Sequence, residues 1–410
     1  MATNASVEAS TDNFARWDEQ YKTIRGQAFR FPTPERPPAF IGTLPAPALV
    51  HFARAAVAPL PNGAPHPLGG SFDTGLWTAQ VAAPPADPKI AALVTLAQAE
   101  FAAGRHFGAA AVARLTRSVA PHETEPLRLL SLVAGGPQDG SADYFYALGQ
   151  AHRILGQNEE AVQCYRHALG YYPDYVMAHV HLSELRMPGE SYLSWVGRLY
   201  DFLAPETVIE IGVFQGASIA QVKPPTLAIG IDPTPAIHQP LAAETHIFPE
   251  NSDAFFARKG PDALLAGRKL GVGFIDGLHH FEQVLRDFIN LEKYAGPNSV
   301  ILLHDTVPLD EPTQRRERET HFFTGDVWKI VPCLKHYRPD LDIFTIATAP
   351  TGLTVVSKLD PHSRVLAEHY DEAVKRFIDM PFANIEPGMD AAFNIVANDW
   401  ETVRARLRPH

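Results

Sequence analysis

Residues 207–232 read TVIEIGVFQGASIAQVKPPTLAIGID. Val208, Ile209 and Ile211 make the apolar run of a short buried strand, Gly212 and Gly216 mark a turn, and Ala217 to Val222 can open a helix. A second apolar run, Leu227 to Ile231, ends at Asp232, 20 residues beyond Gly212. Strand, glycine turn, helix, strand and acid follow one another as in a doubly wound sheet. There the glycines let a ligand approach the backbone near a helix N-terminus, and a carboxylate at the tip of the second strand accepts hydrogen bonds from ribose hydroxyls. The spacing implies an adenosine-containing cofactor. Taken alone, the stretch also reads as a tight turn in an ordinary parallel sheet.

The dinucleotide fingerprint G-x-G-x-x-G is not met, because Phe214 stands where the middle glycine would admit a pyrophosphate. With Glu210 two residues before Gly212, the row is E-x-G-x-x-x-G, which resembles the first motif of class I S-adenosylmethionine-dependent methyltransferases. That resemblance implies S-adenosylmethionine as cofactor, lying against Glu210, Gly212, Gly216 and Ser218, with Asp232 on its ribose.

The chain has 410 residues, 46% of them hydrophobic, enough for two or three domains with separate cores. A formal net charge of -11 without any long Lys/Arg block argues against nucleic acid or an anionic membrane as a main partner. Arg315, Arg316 and Arg318 alternate with acids and read as a solvated face. Cys164 and Cys333 lie far apart without metal-ligand spacing, as ordinary thiols of a reducing compartment would. The first residues are polar and acidic, unlike a signal peptide, and no run of about 18 apolar residues occurs, so cytoplasmic residence is expected.

From Arg30 to Pro88 prolines recur, and with Phe29, Phe31, Phe40, Phe52, Phe72 and Trp77 they predict that residues 1–88 form an extended arm packed on a neighbour. Residues 89–188 read as helical hairpins. In Ala142 to Met187 the residues Leu148, Gly149, Gly156, Ala161, Tyr165, Ala168, Leu169 and Pro173 fall at tetratricopeptide-repeat spacing. A weaker copy has Gly104 and Pro121, again 17 apart, and 52 residues separate the copies where the repeat has about 34. The expected roles are a surface for a protein partner or self-association, or a helical cap that only packs. From 189 on, Tyr192, Trp195, Val196, Leu199, Tyr200 and Leu203 make one helical stripe, read as core.

Beyond Asp232, a strand over Thr245 to Phe248 is followed by Asn251-Ser252-Asp253 and an apolar helix start, with Ser252 or Asp253 as its cap. The methyltransferase resemblance adds a second role for Asp253, meeting the adenine amine. Residues 271–308 read GVGFIDGLHHFEQVLRDFINLEKYAGPNSVILLHDTVP. Val272 to Ile275 is a strand ending at Asp276. Phe281, Val284, Leu285, Phe288 and Ile289 make an amphipathic helix stopping at Gly296-Pro297, and Val300 to Leu303 is a strand ending at His304-Asp305. Asp276, His304 and Asp305 therefore reach the carboxyl edge that also holds the glycine turn, where ligands bind in such sheets.

The string D-G-x-H-x-F-E, Asp276 to Glu282, resembles bacterial methyltransferases of the methyltransferase-24 type, which modify sugar or secondary-metabolite hydroxyls. In related metal-dependent O-methyltransferases an acid ends the fourth strand and two oxygen ligands end the fifth. The matching offsets, 28 and 29 residues beyond Asp276, fall here on His304 and Asp305. The resemblance so implies a site for magnesium or another divalent metal at Asp276, His304 and Asp305, with His304 a departure from the usual acid. An imidazole titrates near neutral pH, so His279 or His280, just past Asp276, could act as general base. His279 is preferred for its place in the motif, with Asp276 as the second catalytic candidate, and a purely structural role orienting Asp276 is the alternative.

Thr306 to Phe323 reads as a flexible loop over the site, Gly325 to Tyr337 as a helix, Leu341 to Ala347 and Leu353 to Ser357 as a closing antiparallel hairpin, and 359–410 as a helical extension. The fold expected is α/β, a Rossmann-like seven-stranded methyltransferase sheet over 189–358 with an N-terminal α-helical, repeat-like domain. The function expected is methylation of a hydroxyl on a small-molecule or carbohydrate acceptor. A repeat-type scaffold with a degenerate cofactor domain is the alternative, and a nicotinamide-dependent oxidoreductase is weakened by Phe214.

Overall fold

The computed structural model describes residues 87–407 except 121–122, 124, 127–128, 131–141 and 259–260. The arm expected over 1–88 lies almost wholly outside the described residues. The chain divides into two compact units, one of residues 25–178 and one that includes 179–410.

In the first unit, α1 (Pro88–Ala102), α2 (His106–Val119), α3 (Ala142–Leu155) and α4 (Asn158–Tyr171) form hairpins. Asp87 caps α1 by accepting from the Lys89 N–H at 2.9 Å, with Pro88 at the first helical position, where its missing N–H costs nothing. The hairpin α3–α4 crosses closely because Gly149 faces Tyr165: a Cβ there would stand 2.6 Å from the Tyr165 ring. Gly104 and Gly156 take positive φ, 74° and 79°, at the turns between helices. These small residues are the ones the repeat spacing picked out.

The helix α5 (Val176–Arg186) spans the boundary between the units. The second unit then continues with α6 (Tyr192–Leu203), capped by Ser191. Its stripe Tyr192, Trp195, Val196, Leu199 and Tyr200 is buried in the sheet core, as expected of a core face.

The sheet comprises β1 (Thr207–Ile211), β2 (Leu227–Ile231), β3 (Glu244–Phe248), β4 (Leu270–Ile275), β5 (Ala295–His304), β6 (Asp342–Ile346), β7 (Leu353–Ser357) and β8 (Ile395–Val396), in the order β3-β2-β1-β4-β5-β7-β6-β8. The first five are mutually parallel, and β7 runs antiparallel to both β5 and β6. Every residue of β1 and β2 is buried, which explains why these strands read as unbroken apolar runs.

Three expectations need correction. Among the described residues the sheet has eight strands, not seven: Ile395 and Val396, within the extension read as helical, pair in parallel with Thr345 and Ile346 of β6. A two-residue strand has no periodicity to detect. After the glycine turn the chain makes only a 3-10 turn, Ile219–Gln221, because Pro224-Pro225 cannot continue a helix. The helix α7 (Ser252–Ala257) is capped by Asn251, which accepts from the Ala254 N–H at 2.8 Å, and not by Ser252 or Asp253.

Ser252 instead donates to Asp287 at 2.6 Å, tying α7 to α8 (Phe281–Glu292). Further along lie α9 (Ile330–Tyr337), α10 (Tyr370–Phe377) and α11 (Trp400–Leu407). Trp400 packs on Trp195, whose indole N–H donates to Asn398 at 2.7 Å, so the C-terminal extension is fastened to α6. Among the described residues no helix is long and apolar enough to cross a membrane.

Asp287 yields a prediction. Burial pushes its carboxyl up to about 7, against the opposing pull of hydrogen bonds from Ser252 and Gln283. Between about pH 4, where an unfolded aspartate ionises, and about pH 7, the folded protein holds a proton that the unfolded chain has released. Stability therefore falls as pH rises through that window and levels off above it. Asp287→Asn keeps the hydrogen-bond acceptor and removes the buried charge, so urea denaturation should show a gain of about 2–4 kcal/mol near pH 8 and little change near pH 4.

Candidate active site

β1 delivers the chain to its glycine turn, where Gly212 (φ 91°), Phe214 (φ 46°) and Gly216 (φ 82°) all take left-handed backbone. Asp232, at the tip of β2, holds this turn: its Oδ2 accepts from the Phe214 N–H and its Oδ1 from the Thr234 N–H, each at 2.7 Å. Gly212 is required for a second reason, because a Cβ there would fall on the backbone carbonyl of Asp276. The Asp276 N–H in turn donates to the Ile211 carbonyl at 2.8 Å. The turn and the end of β4 thus meet backbone to backbone.

Glu210, on β1, is fully buried; its Oε1 accepts from Ser218 Oγ at 2.6 Å, while its Oε2 has no hydrogen-bond partner among the described residues. Burial drives its carboxyl well above the usual range, overcoming the Ser218 hydrogen bond, with Asp276 and Asp232 adding to the rise. Ser218 links this buried acid to the cleft.

The cleft lies at the carboxyl edge of the sheet. Gly212 to Gln215, Ala217 and Ser218 line one part of it, and Tyr192, Asp276, His279, His304, Asp305, Phe322, Phe323, Pro350 and Thr351 line the rest. Among the cofactor candidates, Gly212 and Ser218 belong to this lining, while Glu210, Gly216, Asp232 and Asp253 stand outside it. Asp253 is exposed on α7, accepting from Gln283 at 3.2 Å and from Arg286 at 3.3 Å.

At the cleft's centre, two carboxylates meet two imidazoles. His304 Nδ1 lies 3.0 Å from Asp276 Oδ1 and 3.3 Å from Asp305 Oδ2. His279 Nε2 lies 3.2 Å from Asp305 Oδ2 and 3.9 Å from Asp276 Oδ1. Burial opposes the charged form of His304, but Asp276 and Asp305 outweigh it and hold the imidazole's pKa well above its ordinary value. Burial likewise opposes the Asp305 carboxylate, yet His304, His279 and the Thr351 hydroxyl lower it to about 2. Thr351 donates to Asp305 Oδ1 at 2.6 Å, and the ring of Tyr192 lies 4.0 Å from that of His304. Asp305 itself has φ 57°, strained for a residue with a Cβ and held by these partners.

The metal candidates divide. Asp276, His279 and Asp305 offer donor atoms that all lie within 4.8 Å of one another. His304 is not part of that group; its Nδ1 serves the two carboxylates, and its Nε2 stands 3.4 Å from the Thr351 hydroxyl. Two carboxylate oxygens and one imidazole nitrogen suit manganese, iron or zinc, and magnesium through the carboxylates.

Sequence reading did not single out Tyr192, Phe322, Phe323, Pro350 or Thr351 as site residues. Tyr192 was hidden in a core stripe, and the others lie in loops with no motif. The segment after β5 also differs from the flexible loop expected: Thr313 and Gln314 are buried in a 3-10 turn, and Trp328 Nε1 donates to Gln314 at 3.0 Å.

Residues 209–306 match the family model described as a methyltransferase domain. The chain carries a methyltransferase domain. Residues 142–175 match a tetratricopeptide repeat. Among solved structures, the O-methyltransferase TomG from Streptomyces achromogenes, solved in complex with SAM, is similar at 16% identity and a TM-score of 0.31, over 40% of this chain and 78% of that one. The O-methyltransferase from Bacillus cereus in complex with SAH is similar at 12% identity and a TM-score of 0.32, over 53% of this chain and 100% of that one. Likenesses this slight carry no weight here. No curated protein matches the chain in sequence. The glycine turn, Asp276 and His304-Asp305 all fall within or at the end of the methyltransferase domain.

Gly212→Ala tests the backbone contact on which the domain's cleft is built. A methyl group there must displace the Asp276 carbonyl and hold a left-handed backbone, at a cost of about 1–3 kcal/mol or more. Urea denaturation should show that loss, together with weakened S-adenosylhomocysteine binding in calorimetry.

Proposed function

We propose that this protein transfers the methyl group of S-adenosylmethionine to a hydroxyl of a sugar or other small metabolite in the cytoplasm, with the repeat unit engaging a protein partner or a second copy. The observation that carries the reading is one cleft lined both by the glycine turn and by the Asp276–His279–Asp305 centre. Methyl transfer from a sulfonium needs an acceptor oxygen in line with the methyl group and relieved of its proton as it attacks, so much of the rate comes from positioning.

The cofactor would lie against Gly212, Gly216 and Ser218, with Asp232 holding the turn and, through its remaining lone pairs, a ribose hydroxyl. Asp253 remains a candidate for the adenine amine. Phe322, Phe323 and Pro350 keep water from the acceptor side. No lysine or arginine lines the cleft among the described residues, which favours an uncharged hydroxyl over a phosphorylated acceptor.

In this reading His279 takes the hydroxyl proton, and Asp305, whose Oδ2 lies 3.2 Å from His279 Nε2, stabilises the imidazolium that results. Asp276 holds His304, which keeps both carboxylates paired. A second reading rests on the converging donors. A divalent metal would be held by Asp276, His279 and Asp305, with His304 orienting the carboxylates in place of ligating. Bound there, the ion supplies Lewis-acid activation that lowers the pKa of the acceptor hydroxyl. His279 is a base in the first reading and a ligand in the second.

Incubation with methyl-labelled S-adenosylmethionine and a panel of neutral hydroxylated acceptors tests the proposal and separates the two readings. Transfer that falls in excess chelator and returns with manganese or magnesium supports the metal, and Asp276→Asn or Asp305→Asn should then abolish the rescue. Full turnover in chelator assigns the proton to His279. Absence of transfer to every acceptor, in protein that binds S-adenosylhomocysteine, would favour the scaffold reading.

A further inference from the structure

The stretch Thr324-Gly325-Asp326, just before α9, takes no direct part in the chemistry above, yet it closes on His279 from outside the sheet. His279 sits in the four-residue connection between Asp276 and the first residue of α8, and its ring lies parallel to that of Phe323, 5.7 Å away at 8°. Gly325 has φ 58° and packs so closely on this connection that a Cβ would overlap the His279 carbonyl oxygen and stand 2.7 Å from the His279 Cβ.

Asp326 acts on the next residues. α8 has no side-chain cap of its own at His280, and the Phe281 N–H donates to Asp326 Oδ1 at 2.8 Å. The Asp326 carboxylate is fully buried, and its Oδ2 accepts from Arg316 at 2.7 Å and from Lys329 at 3.1 Å. Arg316 also grips Glu282, in the first turn of α8, at 2.8 and 2.9 Å. A carboxylate at a helix N-terminus is favoured by the unpaired amides there, and its burial is tolerated because two cations face it. Arg316, read from the sequence as part of a solvated face, is half of this clasp.

We propose that Gly325 and Asp326 are positioning residues for His279: they fix the connection between β4 and α8 so that the imidazole lies between Phe323 and Asp305. The inference rests on the proposed methyl transfer only for its kinetic consequence; the geometry of His279 can be read without any acceptor. β4 anchors the upstream end of the connection through Asp276, and Asp326 anchors the downstream end through Phe281. Gly325 then sets the level of the backbone between them.

The test uses the full chain with isotopically labelled histidine, the His279 ring resonance being identified by its loss in His279→Gln. In Gly325→Ala that resonance should shift and its nuclear Overhauser contact with the Phe323 ring should vanish, while S-adenosylhomocysteine affinity is unchanged. With an acceptor in hand, kcat should fall about 10- to 100-fold. Asp326→Asn, which keeps an acceptor for the Phe281 N–H, should retain more of the contact and of kcat than Asp326→Ala. An unmoved His279 resonance in folded Gly325→Ala would overturn the proposal, as would a loss of S-adenosylhomocysteine affinity matching the loss of kcat. A wild-type protein that methylates nothing would sink the functional reading while leaving the resonance experiment intact.

Discussion

Two carboxylates end neighbouring parallel strands here, and most of the site's construction follows from bringing hydrogen-bonding partners onto both. Asp276 follows β4 and Asp305 follows β5, whose register pairs Ile275 with Leu303 just before. Like charges this close raise each other's pKa unless cations separate them. His304 Nδ1, within 3.3 Å of both, supplies one cation, and His279 approaches from the β4–α8 connection. Thr351, from the β6–β7 turn, secures the remaining oxygen of Asp305. Strain at Asp305 and the close approach of the tilted Tyr192 ring to His304 accompany the same arrangement. On the proposed reading, an acceptor hydroxyl brought to this centre would meet a preorganised set of charges, which is how such a site lowers a barrier without rearranging solvent.

The same constraint reaches into the rest of the unit. Gly212 lets the glycine turn rest on the Asp276 backbone, so the turn and the carboxylate centre share one edge of the sheet. Val307, just beyond Asp305, donates its N–H to the Thr351 carbonyl at 2.7 Å, joining the loop to the hairpin turn. The loop then returns through Phe322 and Phe323 to the clasp at Asp326. Nothing at the centre is held by one element alone.

Much of this was legible in the sequence, for identifiable reasons. β1, β2, β4 and β5 are buried on both faces and so read as apolar runs, and their tips carry Asp232, Asp276 and His304-Asp305 in register with a known motif. α8 showed itself by period. What stayed hidden lacks either period or proximity. β8 is two residues long, and Thr351 and Tyr192 reach the cleft from 46 and 113 residues away from Asp305 along the chain. The resemblance to metal-dependent O-methyltransferases implied His304 and Asp305 as a ligand pair. Three-dimensional geometry adds His279, whose nitrogen joins the converging donors from the β4–α8 connection, while His304 Nδ1 is turned onto both carboxylates. Arg316 looked solvated because its partners, Glu282 and Asp326, are 34 and 10 residues away.

The central claim is that the glycine turn and Asp232 hold S-adenosylmethionine, and calorimetry decides it most directly. Wild-type protein titrated with S-adenosylhomocysteine and, separately, with NAD should bind the first and not the second, since Phe214 occupies the place a pyrophosphate needs. Binding of NAD with no heat from S-adenosylhomocysteine would contradict the account.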